Sequence, residues 1–460
     1  MAAGKSGKAP AFNFPGKDDV YIFSYTSGTT GDSKGVKLTH NNVLSNARCS
    51  KLRIFMNPGE AIISYLPYTH SFEQILFGFA MMQQVRIGFY TGDPGKIVED
   101  CGMLKPSVFP SVPRLYQRIY SKLESTLGAA TGCKKWLVDR ALGAKRANQA
   151  ADGSFTHGCY DFLVFKKASA LLGGNVRIML TGSAPIDKQV IDFLKICFSC
   201  PIIEGYGLTE SAAGSCVMDQ EDPVTGHVGG PCESVKLRLK DLPEMSYMST
   251  DKPYPRGEVC MKGPSIFTGY YKKPDKTAEA FDAEGWFLTG DVVQVYPNGS
   301  IKIIDRSKNI FKLSQGEYIA PEKIEQIMAL SPLVAQCFIY GDSLKNACVC
   351  VIVPEEDTVK RWARENDLEG SFADLCKNAD LKKAIQADML RLAGEKKLSS
   401  LEKPREFILW SEVFSVDNDL LTSTFKLKRN VAAKVFKPQI DEMYVKVTAS
   451  EAAYAAKARQ

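Results

Sequence analysis

The chain has 460 residues, of which 45% are hydrophobic and 24% charged, a balance that suits a folded protein with at least two hydrophobic cores and argues against extensive disorder. Its 58 basic and 52 acidic residues give a net charge of +6 without long basic blocks, so the charge predicts no nucleic-acid binding. An excess of this size is compatible with an enzyme that handles anions such as nucleotides or carboxylates.

The 13 cysteines are scattered from Cys49 to Cys376 without a regular framework, and no secretory leader is recognised, so we expect reduced thiols in a cytosol-facing protein. Cys197 and Cys200 form one C-x-x-C pair, but the four histidines lie far from it in sequence, which disfavours a zinc site. The longest apolar run, near 75–82, is too short to span a bilayer. Any membrane association is therefore expected to be peripheral.

The opening stretch predicts a strand followed by a helix. Residues 1–19 are small, basic and rich in Pro and Gly, which predicts a flexible lead-in. The β-branched and aromatic run at 20–25 predicts a buried strand. Apolar residues recur at helical spacing over 38–52, after the candidate caps Thr39 and Asn41.

Between these elements lies a loop rich in hydroxyls and glycines, Tyr25-Thr-Ser-Gly-Thr-Thr-Gly-Asp-Ser-Lys-Gly-Val36. Glycines let the backbone approach an anion, hydroxyls and amides donate hydrogen bonds, and Lys34 adds a positive charge, so the loop favours a polyphosphate. It is not a Walker A loop, because no Gly-Lys-Ser/Thr triplet closes it. An ordinary Gly/Ser/Thr turn is the alternative interpretation.

Short apolar runs then alternate with helical patterns, which predicts βαβ units and a mainly parallel sheet. The segment 129–158 has weak periodicity and is expected to be a partly helical surface insertion. The predicted strands are 61–64, 85–89, 107–109, 177–180 and 201–203, and the predicted helices are 70–84, 112–127, 160–172 and 187–197.

The pattern changes at 231–305, where short β-rich runs at 235–239, 258–261 and 300–304 are separated by Pro and Gly turns, typical of a compact antiparallel subdomain. Beyond it we predict a helix at 322–329, strands at 334–340 and 349–353, and two or three helices between 355 and 398. A boundary at Arg306 would divide the chain into a large domain, 20–306, and a C-terminal domain, 307–460.

Two motifs follow predicted strands of the parallel sheet. Gly182-Ser-Ala-Pro185 could line a planar base or be a plain turn. In Glu204-Gly-Tyr-Gly-Leu-Thr-Glu210, the glycines leave Tyr206 free to stack on a purine, Thr209 can donate to a phosphate, and Glu210 offers a hard oxygen to Mg²⁺. The alternative is a core tyrosine between solvated glutamates.

A third motif runs from Glu284-Gly-Trp-Phe-Leu-Thr-Gly-Asp291 to Asp305-Arg-Ser-Lys308. Asp291 could accept both hydroxyls of a ribose, and Arg306 could reach the ribose or the α-phosphate.

These motifs resemble those of the adenylate-forming superfamily, which includes acyl-CoA synthetases, luciferases and peptide-synthetase adenylation domains. The loop at 25–36 is similar to its phosphate loop, 204–210 matches its adenine and Mg²⁺ motif at every position, and 284–308 is similar to the signature of long-chain fatty acyl-CoA synthetases. The resemblance covers nearly all of 18–440. It implies an α/β fold with a β-rich subdomain in the large domain and a smaller, mobile α+β C-terminal domain.

The resemblance also assigns roles to residues. It implies catalytic roles for Lys426, Thr30 and Glu210, with Glu210 as the metal ligand, an acyl-side position for His70 and Phe72 within 65–73, and a hinge at Lys308. The ATP- and AMP-binding residues that it implies are Thr26, Ser27, Gly28, Thr29, Thr30, Gly31, Lys34, Gly182, Ser183, Ala184, Glu204, Gly205, Tyr206, Gly207, Thr209, Asp291 and Arg306.

Other residues near these motifs carry weaker predictions. Lys428 and Arg429 are expected to form a solvated basic face. Ser33 stands where the family usually has Pro, which implies a looser loop there with the same chemistry, and Ser423 replaces a second usual Pro.

The implied activity is ATP-dependent joining of a long-chain fatty acid to CoA through an acyl adenylate, with ATP, Mg²⁺ and CoA as cofactor and co-substrates. The implied location is the cytoplasmic side, peripheral to the endoplasmic reticulum or another organelle membrane. Two alternatives stay open: another acid:CoA ligase, such as an aryl-CoA ligase, and a non-catalytic protein that binds nucleotide or acyl-CoA. Members of this branch carry a substantial region before the phosphate loop, and about two dozen residues precede it here. We therefore expect a fragment, an incomplete gene sequence or a natural truncation.

Overall fold

A two-stranded hairpin opens the computed structural model, which describes residues 13–26, 34–422 and 425–457. Strands β1 (Val20–Thr26) and β2 (Lys34–Thr39) pair antiparallel. The loop at 27–33, outside the described residues, therefore connects two strands, and the prediction that it joins a strand to a helix is wrong. Val36 and Leu38 alternate inward and are fully buried, so 34–39 is a strand rather than the start of a helix.

The prediction of a buried strand at 20–25 is also wrong, because most side chains of β1 are exposed and Ser24 is its buried residue. Helix α1 (His40–Arg53) begins after Thr39, as the predicted cap requires. Thr39 Oγ1 accepts from Asn42 N at 3.2 Å, and the Asn42 side chain accepts from Thr39 N at 2.8 Å. Asn42 also donates to two carbonyls of the β-rich region, those of Pro264 and Ile266, at 2.9 Å each, which joins the helix to that region.

Within the described residues, seven strands form the main sheet in the order β4-β3-β5-β6-β7-β8-β9. The five from β4 to β7 are parallel, as the alternating pattern predicted, and the two short last strands are antiparallel. The bounds are β3 (Ala61–Ser64), β4 (Arg86–Phe89), β5 (Val108–Ser111), β6 (Ile178–Thr181), β7 (Ile202–Tyr206), β8 (Cys216–Val217) and β9 (Gly230–Pro231).

Helices cover this sheet. They are α2 (Ser71–Met82), α3 (Ile97–Leu104), α4 (Pro113–Gly128), α5 (Gly132–Asp152), α6 (Gly158–Tyr160), α7 (Lys166–Ala170) and α8 (Lys188–Phe198), with a π-helical turn at Asp161–Phe165. The predicted surface insertion is mostly one 21-residue helix, α5. Its Lys145 is fully buried and donates to Asp161 Oδ1 at 2.6 Å and to Ser199 Oγ at 2.8 Å, which anchors α5 against the domain. Over 13–26, 34–422 and 425–457, the structure contains no helix with the length and apolar character needed to cross a membrane.

The β-rich region is an antiparallel sheet in the order β10-β11-β12-β13, as predicted. Its elements are β10 (Lys236–Lys240), β11 (Arg256–Lys262), helix α9 (Pro274–Glu279), β12 (Phe287–Val295) and β13 (Ile301–Arg306). The register of the last pair sets Asp291 opposite Arg306, so two residues of the third motif become neighbours.

The chain beyond Arg306 is α+β. A sheet in the order β16-β17-β18 pairs β16 antiparallel and β18 parallel to β17, and its strands pack against helices on both faces. The elements are β14 (Phe311–Lys312), β15 (Tyr318–Ile319), α10 (Pro321–Met328), β16 (Val334–Tyr340), β17 (Val349–Pro354), α11 (Glu356–Glu365), α12 (Phe372–Leu375), α13 (Ala379–Glu395), β18 (Glu406–Leu409), α14 (Arg429–Val435) and α15 (Lys437–Lys457). That this part is a separate domain stays a prediction.

Candidate active site

A pocket of about 690 Å³ lies at the carboxyl ends of β6 and β7, where open α/β sheets bind ligands. Its volume is within the range of roughly 300–1,000 Å³ that is usual for small-molecule sites. The β1–β2 hairpin, the ends of β12 and β13, and residues near Lys426 complete the wall. The sequence-predicted residues that line it are Thr26, Lys34, His70, Phe72, Gly182, Ser183, Gly205, Tyr206, Gly207, Thr209, Glu210, Arg306, Lys308 and Lys426.

Other sequence-predicted residues are not in this wall. Ala184, Glu204 and Asp291 do not line it, and Ser27, Gly28, Thr29, Thr30 and Gly31 lie outside the described residues. Glu204 alternates with pocket-lining neighbours along β7 and is buried, and this burial raises the pKa of its carboxyl to about 8, partly offset by the charge of Lys302. A nucleotide contact by Glu204 is therefore not supported by the geometry.

Asp291 lies directly behind the wall. Its Oδ2 accepts a hydrogen bond from the Tyr206 hydroxyl at 2.6 Å, and its Oδ1 lies 3.2 Å from Arg306 Nε. Burial raises the pKa of Asp291, and Arg306 opposes that rise, while the Asp291 charge raises the pKa of Arg306. Asp291 thus fixes the ring of Tyr206 and the guanidinium of Arg306, two groups that face the pocket.

Glu210 and Lys34 are linked through Tyr270, a residue that the motif analysis missed. The Tyr270 hydroxyl donates to Glu210 Oε1 at 2.8 Å, and Lys34 Nζ lies 4.9 Å from the centre of the Tyr270 ring. Tyr270 also bridges to Val36 of β2, which brings the hairpin to this corner of the pocket.

Lys426 comes from the C-terminal part and reaches the same pocket. Burial and the nearby Arg306 lower the pKa of its ammonium to about 8, while the carboxylates of Glu322, Asp291 and Glu210 oppose that shift. Glu322 is a second residue that sequence reasoning missed. It lies in the first turn of α10, where an acidic residue is ordinary, so nothing in the local pattern indicated that its charge acts on Lys426.

His70 is the N-cap of α2, with its Nδ1 accepting from Phe72 N at 3.3 Å. Burial lowers the pKa of His70 to about 4, and the positive charge of Lys426 contributes to this shift, so the His70 ring is neutral near pH 7. His70 and Phe72 begin an apolar part of the wall. The side chains of that part are Ile54, Phe72, Ile75, Leu76, Phe79, Leu180, Ile203 and Val217, contributed by α1's end, α2 and three strands of the main sheet.

Arg429 corrects the prediction of a solvated basic face. Its side chain is 12% exposed and forms a two-bond ion pair with Glu325, with Nη1 to Oε1 at 2.9 Å and Nη2 to Oε2 at 2.5 Å. Arg429 is not solvated because its planar guanidinium is buried against both oxygens of the Glu325 carboxylate. The local sequence pattern could not show this pairing, because Glu325 lies 104 residues away in sequence.

Residues 2–271 match the family described as AMP-binding enzyme. The chain is 44% identical over 440 residues to the Arabidopsis thaliana protein long chain acyl-CoA synthetase 6, peroxisomal, covering 95% of this chain and 63% of that protein. It is 42% identical over 434 residues to human long-chain-fatty-acid–CoA ligase 1, covering 94% of this chain and 62% of that protein. The chain therefore spans less than two thirds of the length of these curated relatives.

Solved structures give a matching fold. The adenylation domain of a carboxylate reductase from Mycobacterium chelonae superposes with a TM-score of 0.77 at 27% identity, over 93% of this chain and 60% of that one. The corresponding domain from Segniliparus rugosus, solved with AMP and a co-purified carboxylic acid, has a TM-score of 0.77 at 26% identity, over 96% and 64% of the two chains. ATP-bound MatB from Rhodopseudomonas palustris shares the fold, with a TM-score of 0.66 at 22% identity. The match covers 95% of this chain and 72% of that one.

Proposed function

The chain belongs to the AMP-binding enzyme family and has the predicted adenylate-forming fold, and from that premise we propose that it activates a long-chain fatty acid with ATP and transfers the acyl group to CoA. In the first step a carboxylate oxygen attacks the α-phosphorus of ATP, and diphosphate leaves. In the second step the thiol of CoA attacks the acyl carbonyl, and AMP leaves. The products are acyl-CoA, AMP and diphosphate.

One observation carries this proposal: the wall of one pocket combines cations and hydroxyls with a set of aliphatic and aromatic side chains. The cations and hydroxyls include Lys34, Thr209, Arg306 and Lys426, which suit a polyphosphate. The apolar wall led by Phe72 suits a hydrocarbon chain. A substrate carboxyl at the junction of the two would lie beside the α-phosphate.

Adenylation is expected to depend on preorganised charge. A carboxylate attacking a phosphate builds negative charge on the phosphoryl oxygens, and fixed donors that stabilise such charge are typically worth about 10²–10³ in rate each. Lys426 and Lys34 are the cations that we assign to this role, with Thr30 as a hydroxyl donor. Arg306 is assigned to the ribose or α-phosphate.

Nucleotide contacts are assigned to the strand ends. Tyr206, held by Asp291, would stack on the adenine between the Gly182–Ala184 turn and the two glycines of its own motif, Gly205 and Gly207. The hydroxyls of Thr26 and Ser27 and the backbone of 28–31 would bind phosphates.

Mg²⁺ fits one residue of this wall. Proteins commonly bind Mg²⁺ through one or two carboxylates together with substrate phosphates, and the Glu210 carboxylate lines the pocket and accepts a hydrogen bond from Tyr270 on its Oε1. When bound, the ion would neutralise phosphate charge. Glu210 would hold it through oxygen.

Thioester formation is expected to follow rotation of the C-terminal part about Lys308, which withdraws Lys426 and admits CoA.

We further propose that the protein contacts a membrane surface from the cytoplasmic side, at the endoplasmic reticulum or another organelle, since its acyl substrate partitions into lipid. Sedimentation with phosphatidylcholine and phosphatidylserine vesicles tests this contact, and protein that stays in the supernatant with both would refute it.

ATP–diphosphate exchange on the purified chain with palmitate tests the activity, with thioester formation measured in parallel across fatty acids of increasing length. Palmitate-dependent exchange that Lys426→Ala abolishes is the expected result. Exchange with benzoate but not palmitate would indicate an aryl-CoA ligase. Nucleotide binding with no exchange would indicate a binding protein and overturn the proposal.

A further inference from the structure

Lys426 lies on a short strap, described at 421–422 and 425–428, in which a bridge joins Leu421 and Leu427. Lys426 N donates to Thr422 Oγ1 at 3.1 Å, and Thr422 N donates to Lys426 O at 2.8 Å. Phe425 adopts the left-handed region, with φ of 61°, which a residue with a side chain adopts only at a cost. The strap is too short to have a core of its own, so its place at the pocket depends on what anchors its ends.

The anchor at the C-terminal end is Arg429, the first residue of α14. Its guanidinium holds both carboxylate oxygens of Glu325 on α10, and both side chains are mostly buried. Glu325 Oε1 also accepts from Ile339 N of β16 at 2.9 Å. A planar pair with two bonds fixes direction as well as distance, so the start of α14 is oriented relative to α10 and β16.

Helix α10 is hydrogen-bonded to Asp305, which precedes the predicted hinge at Lys308 and lies next to the pocket residue Arg306. Glu322 N donates to Asp305 Oδ2 at 3.1 Å, and Arg306 N donates to Asp305 Oδ1 at 2.6 Å. Asp305 is fully buried, so these bonds are shielded from water. A continuous set of bonds therefore runs from Arg306 through α10 to Arg429, three residues beyond Lys426.

We propose that Arg429 is a positioning residue for adenylation, which holds the Lys426 strap at the pocket through its two-bond pair with Glu325. The inference rests on the proposed function, and Arg429 acts through the strap rather than on substrate. An anchor is needed because the groups facing Lys426 include the cation Arg306 as well as the carboxylates of Glu210, Asp291 and Glu322. Repulsion by Arg306 and the cost of burying an ammonium both favour a lysine that has moved into water.

The first test compares half-reactions in Arg429→Met. ATP–diphosphate exchange should fall on the order of 10²-fold, the loss expected from a catalytic group displaced by about 1 Å. Acyl transfer from supplied acyl-AMP to CoA should change little, because Lys426 is not needed there. Arg391→Met is the matched control, since Arg391 also forms ion pairs, with Asp388 and Glu395 of its own helix α13, but its side chain is half exposed and lies outside the pocket wall. Equal loss in both half-reactions of Arg429→Met would overturn the inference.

A second variant separates positioning from folding. An unpaired buried Glu325 is destabilising, whereas replacing both partners of a buried pair by apolar residues often restores stability. The double variant Glu325→Met with Arg429→Met should therefore recover the melting temperature of the wild-type chain, while exchange stays low. Recovery of exchange together with melting temperature would mean that Arg429 acts only through the fold, and would refute the positioning role.

A third readout does not depend on activity. Labelling of Lys426 by acetic anhydride, quantified by mass spectrometry across pH, reports its pKa, which is about 8 in the pocket. In Arg429→Met the labelling midpoint should rise toward about 10.4, the value of a solvated lysine. An unchanged midpoint would overturn the inference. If the wild-type chain shows no exchange, the proposed function is overturned. The labelling comparison then still tests whether Arg429 holds Lys426 at the pocket, because it does not require activity.

Discussion

The hydroxyl of Tyr270 donates to Oε1 of Glu210 at 2.8 Å, across 60 residues of sequence. The same ring lies under the ammonium of Lys34, so one tyrosine fixes an acid and a cation at the pocket wall. Burial and the Glu210 charge raise the pKa of Tyr270, which keeps its hydroxyl protonated as a donor. The hydrogen bond is made to Oε1 of Glu210, so the other carboxylate oxygen would be the one free to hold Mg²⁺, as proposed above.

Glu210→Ala should steeply raise the Mg²⁺ concentration that gives half-maximal ATP–diphosphate exchange, because it removes a hard anionic ligand. Tyr270→Phe should raise it less, since the carboxylate stays but loses the bond that orients it. A Mg²⁺ titration of exchange measures both effects. Glu221→Ala, an exposed acid outside this pocket, is the control. A Glu210→Ala titration that matches wild type would remove Glu210 from the metal site.

The charge of Lys426 should set an alkaline limit on adenylation. Its ammonium has a pKa of about 8, so kcat/KM for exchange should fall as pH rises through 8 and the lysine becomes neutral. Lys426→Arg stays charged throughout this range, so its exchange should be slower but should lack that limb. The pH profiles of the two enzymes from 6.5 to 9.5 make the comparison. Persistence of the limb in Lys426→Arg would assign it to another group.

Glu204→Gln should stabilise the protein more at pH 8 than at pH 5. The Glu204 carboxyl keeps its proton up to a pKa of about 8 in the fold, whereas in the unfolded chain it ionises near 4.3. The folded state therefore binds more protons between these values, and stability falls with rising pH by at most about 1.4 kcal/mol per pH unit from this group. Glutamine carries no charge and removes that dependence. Urea unfolding at both pH values, with the exposed Glu244→Gln as control, measures it, and an equal effect at both would contradict the burial argument.

What the sequence predicted well is local. The parallel sheet follows from alternating apolar runs, and Gly205, Tyr206, Thr209 and Glu210 line the pocket because one short motif follows a single strand end. The strand at 34–39 was missed because its burial does not alternate: Gly35 and Val36 are both buried, Leu38 and Thr39 are both buried, and a helix follows directly.

What the sequence did not predict is non-local. The contacts of Tyr270 with Glu210, Asp291 with Tyr206, and Arg429 with Glu325 span 60, 85 and 104 residues. Periodicity and capping rules describe neighbours within a few turns, so they carry no information about such pairs. The local pattern therefore predicts a solvated cation at Arg429 and a direct ligand at Asp291, whereas the structure pairs Arg429 with Glu325 and bonds Asp291 to Tyr206 and Arg306.

The last prediction concerns the turn after β13, where Asn309 N and Ile310 N donate to Arg306 O at 2.9 and 3.1 Å. If Lys308 in this turn absorbs the backbone change when the C-terminal part rotates, Lys308→Pro, with φ fixed near −65°, should trap one orientation. The adenylation arrangement should survive, because Lys426 already lies at the pocket. Exchange should therefore be retained while acyl-CoA formation from supplied acyl-AMP falls by orders of magnitude.

Lys308→Ala separates the backbone from the side chain, because it removes the ammonium from the pocket wall but keeps the freedom of φ. It should support both half-reactions, with at most a modest change in the KM for ATP. If Lys308 is only a linker residue, the proline variant should behave like the alanine variant, and the hinge role fails. Loss of both half-reactions in Lys308→Pro, with a lower melting temperature, would mean that the ring disrupts the turn at Arg306 O, and the hinge would then have to lie elsewhere between β13 and α10.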